Sequence, residues 1–185
     1  MYISQALKTK LKKIKLIVSD VDGVLTDGKV YLTGISEELK AFNTRDALRM
    51  EIALRSGLKI VWFTGRKCKT VVRRSKEIAG GIKLLFKAEL YKKNINFLDM
   101  MVKEYNIKPI EILYIGDDWN DLYIMKQVGV AVTPHNGSAE NKKIAHIITR
   151  VNGGNGVMAE VLEIIMREKG TWKKYTKEYI SKFIH

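Results

Sequence analysis

An apolar stretch at residues 14–18 runs directly into two aspartates and a glycine, in the sequence Asp20-Val21-Asp22-Gly23. Side chains alternate between the two faces of a β-strand, so Asp20 and Asp22 leave the strand end on the same side. Two carboxylates held that close repel each other unless a proton or a cation lies between them. Gly23 permits a sharp turn, after which backbone N–H groups can point at an anion. The motif predicts a site for phosphate chemistry, and a strand end with solvated acids is the alternative.

Strand-like apolar segments alternate along the chain with helix-like segments. Strands are expected at residues 14–18, 58–63, 82–86, 110–115, 130–132 and 146–148. Helices are expected at residues 47–56, 69–79, 90–105, 122–128, 139–144 and 157–167. A hairpin is expected at residues 29–42, with its turn at residues 33–36. The alternation predicts a mostly parallel, Rossmann-like sheet in a three-layer α/β sandwich with right-handed crossovers.

Chemically suggestive side chains follow four of the expected strands. They are Asp20 and Asp22, then Thr64, then the Lys92-Lys93 pair a few residues after a strand, and finally Asp117, Asp118 and Asp121. Ligands of such sheets bind at the carboxyl ends of the strands, near the point where the strand order reverses. The sequence therefore predicts that four loops converge on one site.

The composition sets the class of protein. A chain of 185 residues can bury a core of its own, and we expect residues 1–170 to form one domain and residues 171–185 a C-terminal helical tail. Cys68 is the only cysteine, which excludes an internal disulfide. No apolar run approaches the roughly 20 residues of a membrane span, and residues 1–13 lack the apolar core of a signal peptide. These features favour a cytoplasmic protein with no membrane partner.

The net charge of +13, from 33 Lys and Arg against 20 Asp and Glu, would attract anions that include nucleic acid. The lysines are spread along the chain, and no nucleic-acid-binding motif accompanies them, so a generally basic surface is favoured. In the tail, aromatic side chains recur at steps of three and four, at Trp172, Tyr175, Tyr179 and Phe183. This spacing favours a helix face packed on this subunit or a neighbour over a nucleic-acid or membrane helix.

Together the motifs resemble those of the haloacid-dehalogenase superfamily. Its four motifs match Asp20-Val21-Asp22-Gly23-Val24, Thr64 after an apolar strand, a lysine that opens a helix, and Gly116-Asp117-Asp118 followed by Asp121. Further matches are similar to the small capless subgroup that acts on sugar-acid phosphates. They are Phe42-Asn43-Thr44-Arg45-Asp46, Thr64-Gly65-Arg66-Lys67 and Gly153-Gly154-Asn155-Gly156. The resemblance covers roughly residues 10–165.

The resemblance implies a Mg²⁺-dependent phosphatase in which Asp20 attacks phosphorus and forms an aspartyl-phosphate. Asp22 would protonate the leaving sugar oxygen and then take a proton from the attacking water. Asp20, the backbone carbonyl of Asp22, and Asp117 would hold Mg²⁺, a hard cation that prefers oxygen ligands. Asp118 and Asp121 would orient the metal ligands and the lysine.

The resemblance also implies how the transferring phosphoryl group is bound. Gly23, Thr64 and Gly65 would contact its oxygens, and a lysine would neutralise its charge. Lys93 is the expected lysine because its position along the expected helix fits the family pattern better, and Lys92 is the alternative.

The substrate end is expected to recognise a sugar acid. Arg45, Arg66 and Arg74 match positions that contact a sugar-acid substrate in the subgroup, and arginine binds carboxylates bidentately. Asn43 and Asp46 are expected to hold sugar hydroxyls. The implied substrate is 3-deoxy-D-manno-octulosonate 8-phosphate (KDO 8-phosphate), which would place the protein in lipopolysaccharide biosynthesis. A nonulosonate 9-phosphate or another small phosphometabolite is the alternative, and a catalytically retired nucleic-acid-binding protein is a further one.

Three positions depart from the subgroup pattern at the substrate end, namely Ala47, Glu51 and Asn155. The intervals 28–45 and 64–93 leave no room for an inserted cap domain. Capless relatives close their sites by oligomerising, so the resemblance implies a homotetramer in which the hairpin at residues 29–42 covers a neighbour's site.

Overall fold

A central sheet of six parallel strands organises the computed structural model, which describes residues 3–32, 38–78, 81–93 and 96–183. The described strands are β1 (Leu16–Ser19), β2 (Tyr31–Leu32), β3 (Glu38–Leu39), β4 (Lys59–Thr64), β5 (Lys83–Phe86), β6 (Ile112–Ile115), β7 (Val130–Thr133) and β8 (Ile147–Ile148). The strand order in the sheet is β5-β4-β1-β6-β7-β8, and the antiparallel pair of β2 and β3 lies outside it.

Helices connect these strands. They are α1 (Gln5–Lys13), α2 (Thr44–Arg55), α3 (Lys69–Glu77), α4 (Lys87–Lys92), α5 (Phe97–Tyr105), α6 (Leu122–Met125), α7 (Ala139–Ile144), α8 (Val157–Glu168) and α9 (Trp172–Ile180). Two 3₁₀ turns, Pro109–Glu111 and Trp119–Asp121, precede β6 and α6. None of the helices in the described ranges combines the length and the apolar character needed to cross a membrane.

Strand β1 lies at the point where the strand order reverses. After β1 the chain builds outward through β4 and β5 on one side, and then returns to add β6, β7 and β8 on the other. All four residues of β1 are buried, as expected for a parallel strand covered on both faces. The loops that follow β1, β4 and β6 therefore open at the crevice where ligands of such sheets bind.

Two apolar layers cover the two faces of the sheet. Ile17 belongs to the layer that includes side chains of α1, α2, α3 and α8, whereas Leu16 and Val18 belong to the layer built with α4, α5 and α6. This division follows the alternation of side chains along β1. The expected three-layer α/β sandwich is confirmed.

Helix α9 packs on the first of these layers. Trp172, Tyr175 and Tyr179 are partly buried against it, whereas Phe183 is 70% exposed. The guanidinium groups of Arg49 and Arg167 lie 5.7 Å and 5.0 Å from the centre of the Trp172 ring. Most of the aromatic stripe in the tail is therefore a packing surface of this chain.

The elements differ from expectation in two places, and one expectation lies outside the described residues. Helix α1 was not expected, and it begins where the Ser4 side chain accepts the Leu7 N–H at 3.3 Å. The single helix expected at residues 90–105 is two helices, because Asn96 caps α5 by accepting the N–H groups of Leu98 and Asp99. The turn of the hairpin, expected at residues 33–36, lies outside the described residues.

Asp46 joins the amino ends of α2 and α8. Its Oδ1 accepts the Ala159 N–H at 2.7 Å, and the residue is 2% exposed. Its Oδ2 is buried and has no hydrogen-bond partner among the described residues. Burial raises the pKa of Asp46 to about 6, and the Ala159 N–H and the charge of Arg45 only partly oppose this rise. The side chain thus links two helices that lie far apart in the sequence.

Replacing Asp46 with asparagine should change stability in a pH-dependent way. The pKa of about 6 in the folded state exceeds the ordinary value of 3.8, so the stability of the wild type falls as pH rises through this interval. Asp46→Asn cannot ionise and keeps an oxygen for the Ala159 N–H. Relative to wild type it should therefore gain on the order of 1 kcal/mol between about pH 5 and about pH 8.

Thermal unfolding of both proteins at the two pH values measures this gain. Asp46→Ala, which removes the acceptor, is the control and should be less stable than Asp46→Asn at both values. An unchanged difference between wild type and Asp46→Asn would show that Asp46 titrates normally in the folded state.

Candidate active site

The carboxyl edge of the sheet presents one polar side chain after each of four strands. Asp20 follows β1, Thr64 ends β4, Lys87 follows β5, and Asp117 comes two residues after β6. Parallel pairing of β1 with both β4 and β6, and of β4 with β5, places these strand ends side by side. The expected convergence of loops from different strands is observed at this edge.

Lys87 links two buried carboxylates. Its Nζ donates to Asp20 Oδ2 at 3.0 Å and to Asp121 Oδ1 at 2.8 Å. The side chains of Lys87, Asp20 and Asp121 are 4%, 6% and 0% exposed, respectively. Charged groups are rarely buried to this degree unless they are paired, and here each carboxylate shares the same ammonium group.

The carboxylate of Asp121 is fully used by protein donors. Besides Lys87, Oδ1 accepts the Tyr114 hydroxyl at 2.7 Å, while Oδ2 accepts the N–H of Asp117 at 3.0 Å and, at the longer distance of 3.5 Å, that of Asp118. A carboxylate offers about four lone-pair positions, so these donors occupy all of them. Asp121 therefore orients Lys87 and the loop after β6.

Asp118 shapes the same loop. Its Oδ1 accepts the Trp119 N–H at 2.8 Å and starts the 3₁₀ turn, and its carbonyl accepts from Asn141 Nδ2 at 3.0 Å. Asp118 thus holds the backbone that carries Asp117.

Gly23 lies directly against Asp117. It has a φ of +90°, and a Cβ at this position would lie 2.0 Å from Asp117 Oδ2. Any other residue would be strained in this backbone conformation and would displace the carboxylate. The glycine of the first motif is therefore required by the position of Asp117.

The carboxylates of Asp20 and Asp117 are held in an unfavourable environment for negative charge. Burial, followed by the charge of Asp121, raises the pKa of Asp20 to about 7, and Lys87 only partly opposes the rise. Burial and the charges of Asp121, Asp20 and Asp118 raise the pKa of Asp117 to about 7. Burial alone would lower the pKa of Lys87, but the charges of Asp20 and Asp121 outweigh it and the net shift is upward.

This arrangement fits a divalent cation. Carboxylate oxygens of Asp20, Asp117 and Asp121 lie within 4.8 Å of one another, and with all three acids ionised the group carries three negative charges against the one positive charge of Lys87. A divalent cation would balance the remaining charge, and oxygen ligands suit Mg²⁺. Because Asp121 is saturated by donors, Asp20 and Asp117 are the side chains available as ligands.

Asp22, expected to lend its backbone carbonyl to the metal and its side chain to proton transfer, points toward the hairpin. Its Oδ1 forms an ion pair with Lys40 Nζ, in the residue that follows β3. The Asp22 side chain is 23% exposed and the Lys40 side chain is 0% exposed. The side chain of Asp22 thus lies at the boundary between the carboxyl edge and the hairpin.

The expectation for the lysine was wrong in position. Lys92 and Lys93 are exposed at the carboxyl end of α4, whereas Lys87 opens that helix and contacts Asp20. The helix expected at residues 90–105 places Lys92 and Lys93 near a helix start, whereas α4 begins at Lys87. Lys87 directly follows β5, so the rule that identified the other groups, a polar residue immediately after a strand, could have identified it.

Thr64, Gly65 and Arg66 form the loop after β4. The Thr64 side chain is buried at the edge of the sheet, and its Oγ1 accepts the Arg66 N–H at 3.2 Å. Gly65 is exposed, with open space where a Cβ would stand. The Arg66 guanidinium forms an ion pair with Glu38 of β3. These residues lie between the carboxyl edge and the hairpin.

The remaining residues expected at the substrate end lie at the start of α2 and within α3. Asn43 caps α2 by accepting the Arg45 N–H at 2.9 Å, and its Nδ2 donates to the Gly154 carbonyl at 3.4 Å. Arg45 is exposed, and Arg74 pairs with Glu77 on α3 at 3.2 Å. The structure brings Arg45 next to Asn43, and Arg74, although paired within its own helix, lines a small cavity together with Asn43 and Asp46.

Asp46 does not fit the expected contact with a sugar hydroxyl. It is shielded from solvent, and its Oδ1 is used by Ala159 at the start of α8. Glu51, one of the departures from the subgroup, pairs with Arg55 along α2 at 2.7 Å. Both acids of α2 therefore have partners within the fold.

Comparison with known proteins agrees with this geometry. Residues 82–161 match the model of a family described as haloacid dehalogenase-like hydrolase. The chain is 36% identical over 168 residues to the 3-deoxy-D-manno-octulosonate 8-phosphate phosphatase KdsC of Escherichia coli, which covers 91% of this chain and 87% of that protein.

Solved structures show the same fold. A 3-deoxy-D-manno-octulosonate 8-phosphate phosphatase from Moraxella catarrhalis, in complex with magnesium, phosphate and KDO, has a TM-score of 0.85 and 30% identity over 93% of this chain and 97% of its own. The 3-deoxy-D-manno-octulosonate 8-phosphate phosphatase of Yersinia pestis has a TM-score of 0.83 and 29% identity. The match covers 92% of this chain and 90% of that protein's chain. With the motifs, the site and these relatives in agreement, the chain belongs to the haloacid dehalogenase-like hydrolases.

Proposed function

We propose that this protein is a Mg²⁺-dependent phosphatase that hydrolyses KDO 8-phosphate to KDO and phosphate. The observation that carries the proposal is the buried Asp20, paired with Lys87 and lying beside Asp117 at the reversal of strand order. The identity of 36% to a phosphatase of that substrate supports the choice of sugar acid. A nonulosonate 9-phosphate or another small phosphometabolite is the alternative substrate.

Asp20 is the nucleophile in this proposal. A carboxylate oxygen of Asp20 attacks phosphorus in line, the bond from phosphorus to the sugar oxygen breaks, and an aspartyl-phosphate forms. Water then attacks phosphorus, releases phosphate and restores the carboxylate. The N–H of Val21 at 2.7 Å from Oδ1 and Lys87 at 3.0 Å from Oδ2 hold the carboxylate in one orientation for this attack.

Asp22 acts as the general acid and then as the general base in this proposal. In the first step its carboxyl group donates a proton to the leaving sugar oxygen, and in the second step its carboxylate takes a proton from water. It lies two residues beyond Asp20 and is partly exposed, so it can exchange protons with solvent between the steps.

Lys87 and Thr64 stabilise the transferring group. The Lys87 ammonium is fixed by Asp121 beside Asp20, where negative charge is transferred. Thr64, at the neighbouring strand end, supplies a hydroxyl donor to a phosphoryl oxygen. Gly23 and Gly65 leave the backbone open to the same group.

The metal would be held by Asp20, the backbone carbonyl of Asp22, and Asp117. Mg²⁺ bound there supplies charge neutralisation that lets an anionic carboxylate approach an anionic phosphate ester. The chain's own contribution is to hold the two buried carboxylates in place: Lys87 pairs with Asp20, and Asp121 accepts the N–H of Asp117.

In the expected oligomer, the hairpin of one subunit would close the site of a neighbouring subunit. Its described part exposes large apolar side chains, at Val30, Tyr31, Leu32 and Leu39. Exposed apolar residues grouped on one small element are typical of a protein interface. We infer that this hairpin packs against a neighbouring subunit and covers its site, as in the expected homotetramer.

Phosphate release across a panel of esters tests the function. The panel holds KDO 8-phosphate, a nonulosonate 9-phosphate, hexose phosphates and a nitrophenyl ester, each with Mg²⁺ and with chelator. Fast release from KDO 8-phosphate, abolished by Asp20→Asn and by chelator, is expected. Release from the nitrophenyl ester alone would contradict the sugar-acid assignment. No release from any ester would favour the retired fold, which a salt-dependent nucleic-acid titration then tests.

Lys87→Met should lower phosphate release by about 100-fold or more, because it removes the positive charge beside the transferring group. Lys92→Met and Lys93→Met are the matched controls and should stay within about twofold of wild type, since both lysines are exposed. Initial rates with the best ester measure the effect, and thermal unfolding checks that each variant is folded. Equal losses in all three variants would contradict the role of Lys87.

Leu32→Asp should reduce the oligomer to smaller species, because it places a charge in the proposed contact of a side chain that is 83% exposed in the single chain. Light scattering after size-exclusion chromatography measures the mass. Ile180→Asp, on the exposed part of α9, is the control and should leave the mass unchanged. A wild-type mass equal to one chain would contradict assembly through the hairpin.

A further inference from the structure

The hairpin carries two charged side chains that point into the site. Glu38 lies in β3, and Lys40 comes directly after it. Lys40 forms an ion pair with Asp22 and approaches Glu38 Oε2 at 3.7 Å, while Glu38 Oε1 forms an ion pair with Arg66. The carbonyl of Glu38 also accepts the Thr70 hydroxyl at 2.9 Å, at the start of α3. An unbroken series of charges therefore runs from Asp22 through Lys40 and Glu38 to Arg66.

The burial of this series shows that it is more than a surface ion pair. The Lys40 side chain is 0% exposed, and those of Asp22 and Glu38 are 23% and 24% exposed. Glu38 Oε2 is buried and has no hydrogen-bond partner among the described residues. A buried ammonium requires acidic partners, and a shielded pair fixes geometry more firmly than one in water. Lys40 is therefore shielded from solvent although the hairpin adds few side chains to the hydrophobic core.

The two ends of the series are residues with proposed roles in the reaction. Asp22 donates the proton to the leaving oxygen, and Arg66 is placed at the substrate end. Neither position is set by the six-stranded sheet alone, because the Asp22 side chain extends away from β1 and the Arg66 side chain extends from the loop after β4. Their common neighbour in the described residues is the hairpin.

We propose that Lys40 and Glu38 are positioning residues of the reaction. Lys40 holds the Asp22 carboxyl group toward the leaving oxygen, and Glu38 holds the Arg66 guanidinium toward the acid group of the substrate. One short strand thereby aligns the proton donor and the substrate clamp. The inference rests on the proposed phosphatase function and adds residues to it that lie outside the four motifs.

The role of Lys40 predicts a dependence on the leaving group. A sugar oxygen needs a proton to leave, whereas nitrophenolate does not. For Lys40→Met, kcat/KM with the sugar-acid phosphate should fall about 10- to 100-fold, and kcat/KM with the nitrophenyl ester should change less than about threefold. The value of kcat/KM is the correct measure, because it covers only the steps up to departure of the leaving group. Lys40→Arg should restore most of the lost rate.

Glu38 predicts a different kinetic change. Glu38→Gln should raise KM for the sugar-acid phosphate several-fold with little effect on kcat, because it releases Arg66 without touching Asp22 directly. The nitrophenyl ester has no acid group for Arg66, so its KM should not change. A general loss of structure would alter both esters alike.

A double-mutant cycle tests whether Lys40 acts through Asp22. In an Asp22→Asn background, Lys40→Met should have no further effect on kcat/KM with the sugar-acid phosphate. Additive losses, or equal losses for both esters, would overturn the proposal. Thermal unfolding confirms that each variant is folded, and Lys40→Gln replaces Lys40→Met in the cycle if the methionine variant is unfolded.

The same experiment separates this inference from the proposed function. Failure of the wild type on KDO 8-phosphate would refute that substrate. The ratio of losses between the best alkyl phosphate in the panel and the nitrophenyl ester would still report on Lys40. A normal wild-type rate on KDO 8-phosphate, with no leaving-group dependence in Lys40→Met, would refute the positioning role and leave the function standing.

Discussion

Repulsion among buried carboxylates is the constraint on which the carboxyl edge of this protein depends. Asp20, Asp117 and Asp121 bring oxygens within 4.8 Å of one another, and burial adds to their mutual repulsion. Lys87 offsets part of that charge, and a divalent cation would offset the rest. The parallel alignment of β5, β4, β1 and β6 brings Lys87, Asp20 and the loop after β6 to one edge of the sheet, so an ammonium and three acids lie close together there.

The part of the site that faces the hairpin depends on ion pairs between residues of opposite charge. Lys40 and Glu38 form ion pairs with Asp22 and Arg66, and all of these side chains are partly or wholly shielded. In the described residues β2 and β3 pair with each other and not with the central sheet, and these charged contacts join the hairpin to the loops after β1 and β4. Under the proposed function, the phosphate chemistry resides on the sheet, while alignment of the rest of the substrate resides on the hairpin attached to it.

Much of the site was predictable because strand ends are marked in the sequence by an apolar run followed by a polar residue. Asp20, Thr64 and Asp117 were found in that way. The apolar spacing of residues 90–105 predicts one helix and does not point to Lys87, because the break before α5 depends on a cap by Asn96 that this spacing does not show. Asp46 was misjudged because its contact with Ala159 joins segments that are distant in sequence. No local pattern reports such a contact.

The hairpin of β2 and β3 lies outside the six-stranded sheet, and this separation has a consequence for how the protein can change over generations. The folding free energy comes mainly from the layers around β1, to which the exposed hairpin residues contribute little. Under the proposed function, substitutions there would change the alignment of the substrate while Asp20 and its scaffold stay intact. Under the same proposal, substrate range and thermal stability are traits that selection can adjust independently in this chain.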